Sequence, residues 1–322
     1  MDELNYLLVF IIPAVIVSLF LELIIHELGH LIAGLFCGYR FMYFGILGLY
    51  IEKRDGKVQI RFHKGEPRGQ CVMKPRYMGS AVKKLSNAKG IIIGGIVSEA
   101  VAGMVCFVIL CIRILLDNGD YQKILADGYV LISLLVLSLV CLAGAMVNLF
   151  SNSPFSDGRT FFEIQEDPRL AACYNKIMEI GFLNFSGKSF LEMPADLFRC
   201  EGDERSALKK ELKLYSYFRT LEIDPFADAA REALIDLKKD AGAGAFIEDI
   251  NIEDCILDMI SRGKLSHTRI KNRGGARFAL MMAFLKDIPA GEIFETETKK
   301  ALYPGDWISA KNTYNKAKEV LL

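Results

Sequence analysis

The chain of 322 residues has no excess of charge of either sign, because 39 Lys and Arg residues balance 39 Asp and Glu residues. A nucleic-acid-binding protein normally carries a basic excess, so we expect no nucleic-acid partner. The eight cysteines include no closely spaced pair, which argues against a disulfide framework and against a zinc ribbon. A hydrophobic share of 52% is too high for a disordered chain or an ordinary cytosolic enzyme. The composition therefore indicates a membrane protein with a soluble part.

Long apolar runs are confined to the first half of the chain. Three of them, about 4–36, 90–112 and 128–150, are long enough to cross a bilayer, which takes roughly 20 apolar residues. The chain starts with the acidic sequence MDELN, and no small-residue cleavage site follows the first run. We therefore interpret the first run as a retained transmembrane span and not as a signal peptide.

Lys and Arg are unevenly distributed among the loops. The segment 38–89 carries twelve basic residues against three acidic ones, whereas 113–127 carries two against three. The positive-inside rule then predicts a cytoplasmic loop 38–89, an outside N-terminus and a cytoplasmic segment after the third span. This topology suits a bacterial plasma membrane. Attraction of the basic loop to anionic lipid headgroups is a second interpretation of the same charges.

The cytoplasmic segments have patterns of their own. In the loop 38–89, the β-rich runs FMYFGILGLYIEK and KVQIRFH flank Arg54-Asp55-Gly56, which is typical of a hairpin, and GQCVM (69–73) would add a third strand. After residue 158 the chain is charged and amphipathic. Helices are predicted near 168–181, 204–222, 226–239, 251–262, 268–287 and 308–321.

The predicted fold is a mostly α membrane protein. Residues 1–158 would form a three-span transmembrane core with a small cytoplasmic β-hairpin sheet. Residues 159–322 would form an all-α cytoplasmic domain.

Two of the four histidines occur in the sequence His26-Glu27-Leu28-Gly29-His30, at the end of the first span. On a helix, positions i and i+4 share a face, so both imidazoles can bind one metal ion, with Glu27 placed to polarise a water. Ionisable groups inside an apolar span are costly and indicate function. The alternative interpretation is a polar helix end at the membrane interface.

A catalytic zinc site needs a third protein ligand. Asp157 is the best candidate, because it follows the third span and that span ends on the same side of the membrane as the first. The alternative role for Asp157-Gly158 is a turn that leaves the membrane.

These motifs resemble the site-2 protease family of intramembrane zinc metallopeptidases. The resemblance covers roughly residues 20–160. This part of the chain has no recognisable PDZ-like insert, and in that respect it resembles a bacterial subgroup of the family. It implies a zinc-dependent endopeptidase that cleaves membrane-embedded proteins or peptides. It also implies one zinc ion per chain, held by His26, His30 and Asp157, with Glu27 as the catalytic base.

The resemblance also suggests residues that contact the substrate. The asparagine before the DG motif would be Asn148 or Asn152, and Ser98 would replace the asparagine that the family often has in its second span. Glu22 lies four residues before His26, so it could accept a hydrogen bond from a ligand imidazole, or it could face a polar cavity. Both interpretations of Glu22 stay open. Glu99 could line the same cavity or join two helices.

Two other functions compete with the peptidase. One is a proteolytically silent membrane scaffold whose helical C-terminal domain binds a cytoplasmic protein partner. The other is metal transport, which a single compact cluster and three spans make less favourable. The presence of Glu27 favours the enzyme. The expected partners are then a transmembrane substrate, the lipid bilayer and a cytoplasmic protein that binds the helical domain.

Overall fold

The computed structural model describes residues 2–54, 56–63, 69–76, 87–116, 128–151, 153, 156–241, 247–262, 275–286 and 290–321. Three helices in it are long and apolar enough to cross a membrane: α1 (Asp2–Phe36), α2 (Ala88–Leu116) and α3 (Gly128–Phe150). They confirm the three apolar spans, and they pack against one another as a bundle. Many of the side chains that these helices expose are large and apolar, as expected for helices surrounded by lipid.

Close packing of α1 on α2 depends on glycine. A Cβ atom built on Gly29 would lie 2.3 Å from the carbonyl oxygen of Gly94, and one on Gly94 would lie 2.7 Å from the carbonyl oxygen of Gly29. Small residues at such crossings let helix backbones approach each other in a membrane. The end of α1 and the start of α2 are therefore held together at one end of the bundle.

A four-stranded sheet lies between α1 and α2 in the sequence. Its strands are β1 (Tyr39–Ile46), β2 (Leu49–Arg54), β3 (Lys57–Phe62) and β4 (Gly69–Pro75), in the order β3-β2-β1-β4. Each neighbouring pair is antiparallel. Arg54 pairs with Lys57 and so confirms the predicted hairpin, although Asp55 itself lies outside the described residues.

The sheet has one strand more than the sequence predicted. The run FMYFGILGLYIEK does not form one strand, because it turns back at Leu47 and Gly48. Both residues have positive φ, 49° and 88°, which is the geometry of a tight two-residue hairpin turn. GQCVM falls within β4, as predicted, and β4 pairs with β1.

The inner face of the β2–β3 hairpin is polar and fixes the sheet to the C-terminal helices. Glu52 is fully buried, contacts Nε2 of His63, and pairs with Nε of Arg54 at 2.8 Å. Nδ1 of His63 donates to the carbonyl oxygen of Lys300 at 3.0 Å. This hairpin face therefore packs on the segment just before the last helix.

The chain after the bundle is helical. The helices are α4 (Asp157–Glu166), α5 (Leu170–Phe185), α6 (Ala207–Ile223), α7 (Asp228–Ala241), α8 (Ile247–Arg262), α9 (Gly275–Lys286), α10 (Ala290–Lys300) and α11 (Pro304–Leu321), with a short 3₁₀ helix at Ala195–Phe198. The helices α4 and α10 were not predicted. Part of the predicted helix 268–287 lies outside the described residues.

One hydrophobic cluster includes residues of the sheet, of α2 and of the later helices. Met73 of β4 and Ile91 of α2 belong to the same buried cluster as Ile177 of α5 and Leu212 of α6. The predicted division at residue 158 falls in the first turn of α4, and the two-domain description stays a prediction.

The structure contains a disulfide bond that the spacing of the cysteines does not indicate. Cys173 in α5 is bonded to Cys200, 27 residues further along the chain. The expectation of no disulfide framework is corrected at this pair. The two cysteines are far apart in the sequence and meet only because the segment after α5 returns to that helix. Their spacing therefore did not indicate the bond.

Candidate metal centre

Three ligand atoms converge at the end of the bundle. Nε2 of His26, Nε2 of His30 and Oδ2 of Asp157 are 3.0 Å apart in every pair. The histidines lie one turn apart on α1, and Asp157 is the first residue of α4. Ligand atoms about 2.0–2.1 Å from one tetrahedral zinc ion lie roughly 3.3 Å apart. The three predicted ligands are thus brought together in a set that could hold one metal ion.

Hydrogen bonds behind the imidazoles orient both rings. Nδ1 of His30 lies 2.8 Å from the carbonyl oxygen of Ile91, which can only accept, so Nδ1 carries the hydrogen. Nδ1 of His26 lies 3.0 Å from Oε1 of Glu99. In each neutral ring the Nε2 lone pair then points to the shared centre. Two nitrogen lone pairs and a carboxylate oxygen at one point form a donor set that could hold a cation.

Glu99 is the carboxylate that contacts His26. It is fully buried, and Nδ2 of Asn148 donates to both of its oxygens, at 3.1 and 3.2 Å. Glu22, for which the sequence left two roles open, lies within hydrogen-bonding reach of Glu99. Asn148 also lines the cavity beside His26, His30 and Asp157, and its predicted contact with a substrate stays a prediction.

Gly95 leaves room for the ligand atoms. A Cβ atom built on it would lie 2.6 Å from Nε2 of His30 and 2.8 Å from Nε2 of His26. The sequence alone does not distinguish this glycine from its neighbours in α2. Any larger side chain at this position would press on both imidazoles, at the point where their Nε2 atoms converge.

Gly158 positions Asp157. A Cβ atom built on Gly158 would lie 2.0 Å from the carbonyl oxygen of Leu149 and 2.5 Å from that of Asn148. Only glycine lets the start of α4 fold back on the end of α3. The Asp-Gly pair therefore begins a helix that Ser156 caps, and it does not form a turn.

Glu27 lies in the same cavity as the ligands. This cavity has a volume of about 410 Å³, and Glu27 is 7% exposed in its wall. The backbone N–H of Cys71 in β4 donates to the Glu27 carboxylate. Strand β4, with Gly69 and Val72, forms one side of the cavity. Glu27 is therefore fixed between the metal centre and an edge strand.

The helices after the bundle supply the opposite wall. Tyr174 and Met178 of α5 and Leu208 and Glu211 of α6 line the cavity. Burial raises the pKa of Tyr174 well above its usual range, with contributions from Asp157 and other neighbours, so its phenol stays a hydrogen-bond donor. No motif indicated these residues, since they lie far from HELGH in the sequence and reach it only through folding.

The remaining predicted substrate residues differ in placement. The Ser98 hydroxyl donates to the carbonyl oxygens of Ile25, at 2.8 Å, and Gly95, at 2.7 Å. It therefore helps to hold α2 against α1. Asn152 lies outside the described residues.

Comparisons of the chain with protein-family profiles, with curated protein sequences and with solved structures found no match. Inference about function therefore depends on the short motifs and on the geometry around His26, His30 and Asp157.

Proposed function

We propose that this chain is an intramembrane zinc-dependent endopeptidase of the site-2 protease type. The observation that carries the proposal is the convergence of two imidazole nitrogens and one carboxylate oxygen, 3.0 Å apart, beside the buried Glu27. His26 and His30 come from a helix that is apolar enough to span a bilayer, and Asp157 begins the helix that follows the third such helix. His30 is six residues before the end of α1, so the centre lies about 9 Å inside the helix end, at 1.5 Å per residue.

The donor set fits zinc, and His26, His30 and Asp157 would hold it. Zinc in such a site polarises a carbonyl and lowers the pKa of water toward neutrality. The Glu27 carboxylate would take a proton from the attacking water and deliver it to the leaving amine nitrogen. The N–H of Cys71 keeps that carboxylate oriented in the cavity. The tyrosine and apolar side chains contributed by α5 would restrict bulk water.

Strand β4 would receive the substrate. A helical substrate must unwind, since its peptide bonds are otherwise enclosed in helical hydrogen bonds. Among the described strands β4 pairs only with β1, and its other edge passes the cavity. An extended segment added to that edge would run past Glu27. The substrate would be a membrane-embedded protein or peptide.

The cellular arrangement is part of the proposal. Loop 38–89 carries most of the basic residues near the spans, so the metal centre, the sheet and the helices after α3 would face the cytoplasm of a bacterial cell. Those helices would then be available to a cytoplasmic protein partner.

Metal content of the detergent-purified chain tests the site without a known substrate. We expect about one zinc per wild-type chain and a marked loss in Asp157→Ala. The matched control is Asp258→Ala, which removes an aspartate of α8 that does not line the cavity. Wild-type protein without zinc, or equal zinc in both variants, would contradict the assigned ligand set and favour the scaffold.

Glu27→Gln separates catalysis from metal binding. The variant should keep its zinc, because Glu27 is not among the ligand atoms. Cleavage of a library of synthetic transmembrane peptides, followed by mass spectrometry, should fall about 10²- to 10⁴-fold, the usual contribution of a general base. Zinc without cleavage of any peptide by the wild type would count against the peptidase.

A further inference from the structure

The sheet borders a second cavity, of about 420 Å³, whose charged lining residues in the described part of the chain are all basic. They are Arg40 of β1, Lys53 and Arg54 of β2, and Lys74 of β4. Aromatic side chains of α5 form the other side of the cavity. The proposed peptidase uses none of these residues.

Arg54 already has protein partners. Its Nε pairs with Oε2 of the buried Glu52 at 2.8 Å, and its Nη2 donates to the carbonyl oxygen of Leu302 at 2.9 Å. Its charge is therefore compensated within the protein. The unbalanced charges of the cavity are the other three.

Within the described residues, the side chains of Arg40, Lys53 and Lys74 form no ion pair or hydrogen bond with another protein group. The Nζ of Lys74 lies 3.5 Å from the ring centre of Phe182 and is thus partly removed from water. Arg40 and Lys74, with one side of the cavity closed by an aromatic ring, are suited to an anion, and Lys53 lines the same cavity from the outer face of the sheet.

Two of these cations face each other across the sheet. Arg40 and Lys74 are direct partners in the β1–β4 pairing, and like charges in that relation are destabilising. Partial burial and the Arg40 charge lower the pKa of Lys74, while Glu179 opposes the shift. A bound anion would remove this repulsion.

The outer face of the β2–β3 hairpin is apolar, whereas its inner face buries Glu52. Leu49 and Phe62 are direct partners and are 55% and 70% exposed. Ile51 and Ile60 form the next pair, at 40% and 69% exposed. This reverses the usual pattern of an antiparallel sheet, in which polar side chains face water. Such a surface matches the acyl region of a bilayer.

The basic cavity adjoins that apolar face and the membrane. Lys53 follows Ile51 by two residues on β2, so both point to the same face of the sheet. Arg40 is four residues after Phe36, the last residue of α1, and so lies within about 13 Å of the end of the span, at about 3.3 Å per residue. Phosphate groups of lipids occupy this layer next to the acyl chains.

We propose that the cavity lined by Arg40, Lys53 and Lys74 binds the phosphate of an anionic phospholipid, while the apolar face of the hairpin contacts its acyl chains. The site is separate from the metal centre and does not depend on peptidase activity. It would hold the sheet, and with it strand β4, at the membrane surface.

Native mass spectrometry of the full chain released from phosphatidylcholine nanodiscs containing phosphatidylglycerol tests this site. Arg40→Gln/Lys74→Gln should weaken retention of phosphatidylglycerol at least about tenfold, since each phosphate contact is a charge-assisted hydrogen bond. The matched control, Lys57→Gln/Arg76→Gln, removes the same charge outside the cavity lining and should change little. Lys53→Gln serves as a second variant, because the side chain is exposed and forms no hydrogen bond or ion pair with another described residue.

The outcomes separate the sources of the phosphate. Selective loss in the cavity variants supports the lipid site. Equal loss in the control would mean nonspecific attraction to the membrane surface and overturn the proposal. Stabilisation by inorganic phosphate in pure phosphatidylcholine nanodiscs, without selective retention of phosphatidylglycerol, would indicate a soluble anion and also overturn the lipid assignment.

Discussion

Oε1 of Glu99 in α2 lies 3.0 Å from Nδ1 of His26 in α1, and this contact sets which nitrogen of His26 faces the candidate metal centre. Asn148 of α3 donates to the same carboxylate. One side chain from each of the three bundle helices thus contributes to this chain of contacts. Such hydrogen bonds behind a ligand fix its ring orientation and tautomer.

Glu99→Gln should weaken zinc binding about 10- to 100-fold, the usual effect of losing a carboxylate behind a ligand histidine. An amide offers only one acceptor oxygen, for which His26 and Asn148 would compete. Competition with a fluorescent chelator measures the affinity. Glu22→Gln is the comparison, because Glu22 contacts Glu99 and no contact of Glu22 with an imidazole is seen among the described residues. An equal loss in Glu22→Gln would contradict the assignment of this role to Glu99.

Gly95→Ala should abolish stoichiometric zinc binding while α2 stays helical. The added methyl carbon would lie 2.6 to 2.8 Å from both ligand nitrogens, and α1 cannot move away without losing its close contact with α2. Zinc content and circular dichroism of the same sample provide the two readouts. Gly128→Ala is the matched control, because a Cβ there meets nothing within 4 Å. Full zinc content in Gly95→Ala would show that α2 does not pack as closely against His26 and His30 as the structure describes.

Apolar length and short motifs were sufficient to predict the spans and the three side chains that converge beside Glu27. Apolar length indicated α1 to α3, and the i, i+4 spacing placed His26 and His30 on one face. Asp157 followed from topology alone, because spans one and three end on the same side. The strand β4 and the β2–β3 hairpin followed from β-rich runs and the Asp-Gly signal.

The residues around His26, His30 and Asp157 were predicted only in part, because Glu99 was left with two interpretations and Gly95, Tyr174 and Glu211 were not singled out for the site. Glu99 and Gly95 face the histidines only because of the rotation of α2 against α1, which depends on packing along both helices. Tyr174 and Glu211 reach the cavity through the path of the chain after α4. Leu47 adopts a positive φ that its residue type does not favour. The local sequence therefore did not predict the extra turn in the sheet.

The Cys173–Cys200 bond tests on which side of the membrane the helices after α3 lie. Disulfides are rare in the cytoplasm, where we propose that these helices lie, so we expect both thiols to be free in living cells and to pair after purification in air. Acid quenching of cells, followed by alkylation with a maleimide polymer, counts free thiols as shifts in a gel. The Cys173→Ser/Cys200→Ser variant shows which shift belongs to this pair. An oxidised pair in quenched cells would contradict the cytoplasmic placement.

Oxidation of the same pair should stabilise the purified protein. For a loop of 27 residues the chain-entropy relation gives about 3.5 kcal/mol at 25 °C. Urea unfolding of oxidised and reduced wild type, followed through the single tryptophan, measures the difference. The double serine variant should match the reduced wild type in both conditions. Stability that did not respond to reduction would show that the bond adds little to folding.

Glu211 gives a prediction for pH. Burial raises the pKa of its carboxyl above the ordinary 4.5, and the Tyr215 hydroxyl, 2.8 Å away, only partly opposes the shift. The folded chain therefore holds this proton more tightly than the unfolded chain. The stability linked to Glu211 is greatest below pH 4.5 and falls as the pH rises through the folded-state pKa.

Glu211→Gln removes the loss of stability at high pH, because the amide stays neutral at every pH. The variant should melt close to wild type near pH 4 and above wild type near pH 8, with the difference growing between the two. Thermal unfolding with excess chelator keeps metal loss out of the comparison. Glu201→Gln, at an exposed position, should show no such trend. A constant difference between Glu211→Gln and wild type across this range would mean that the Glu211 carboxyl is well solvated, and α6 would not form a wall of the cavity.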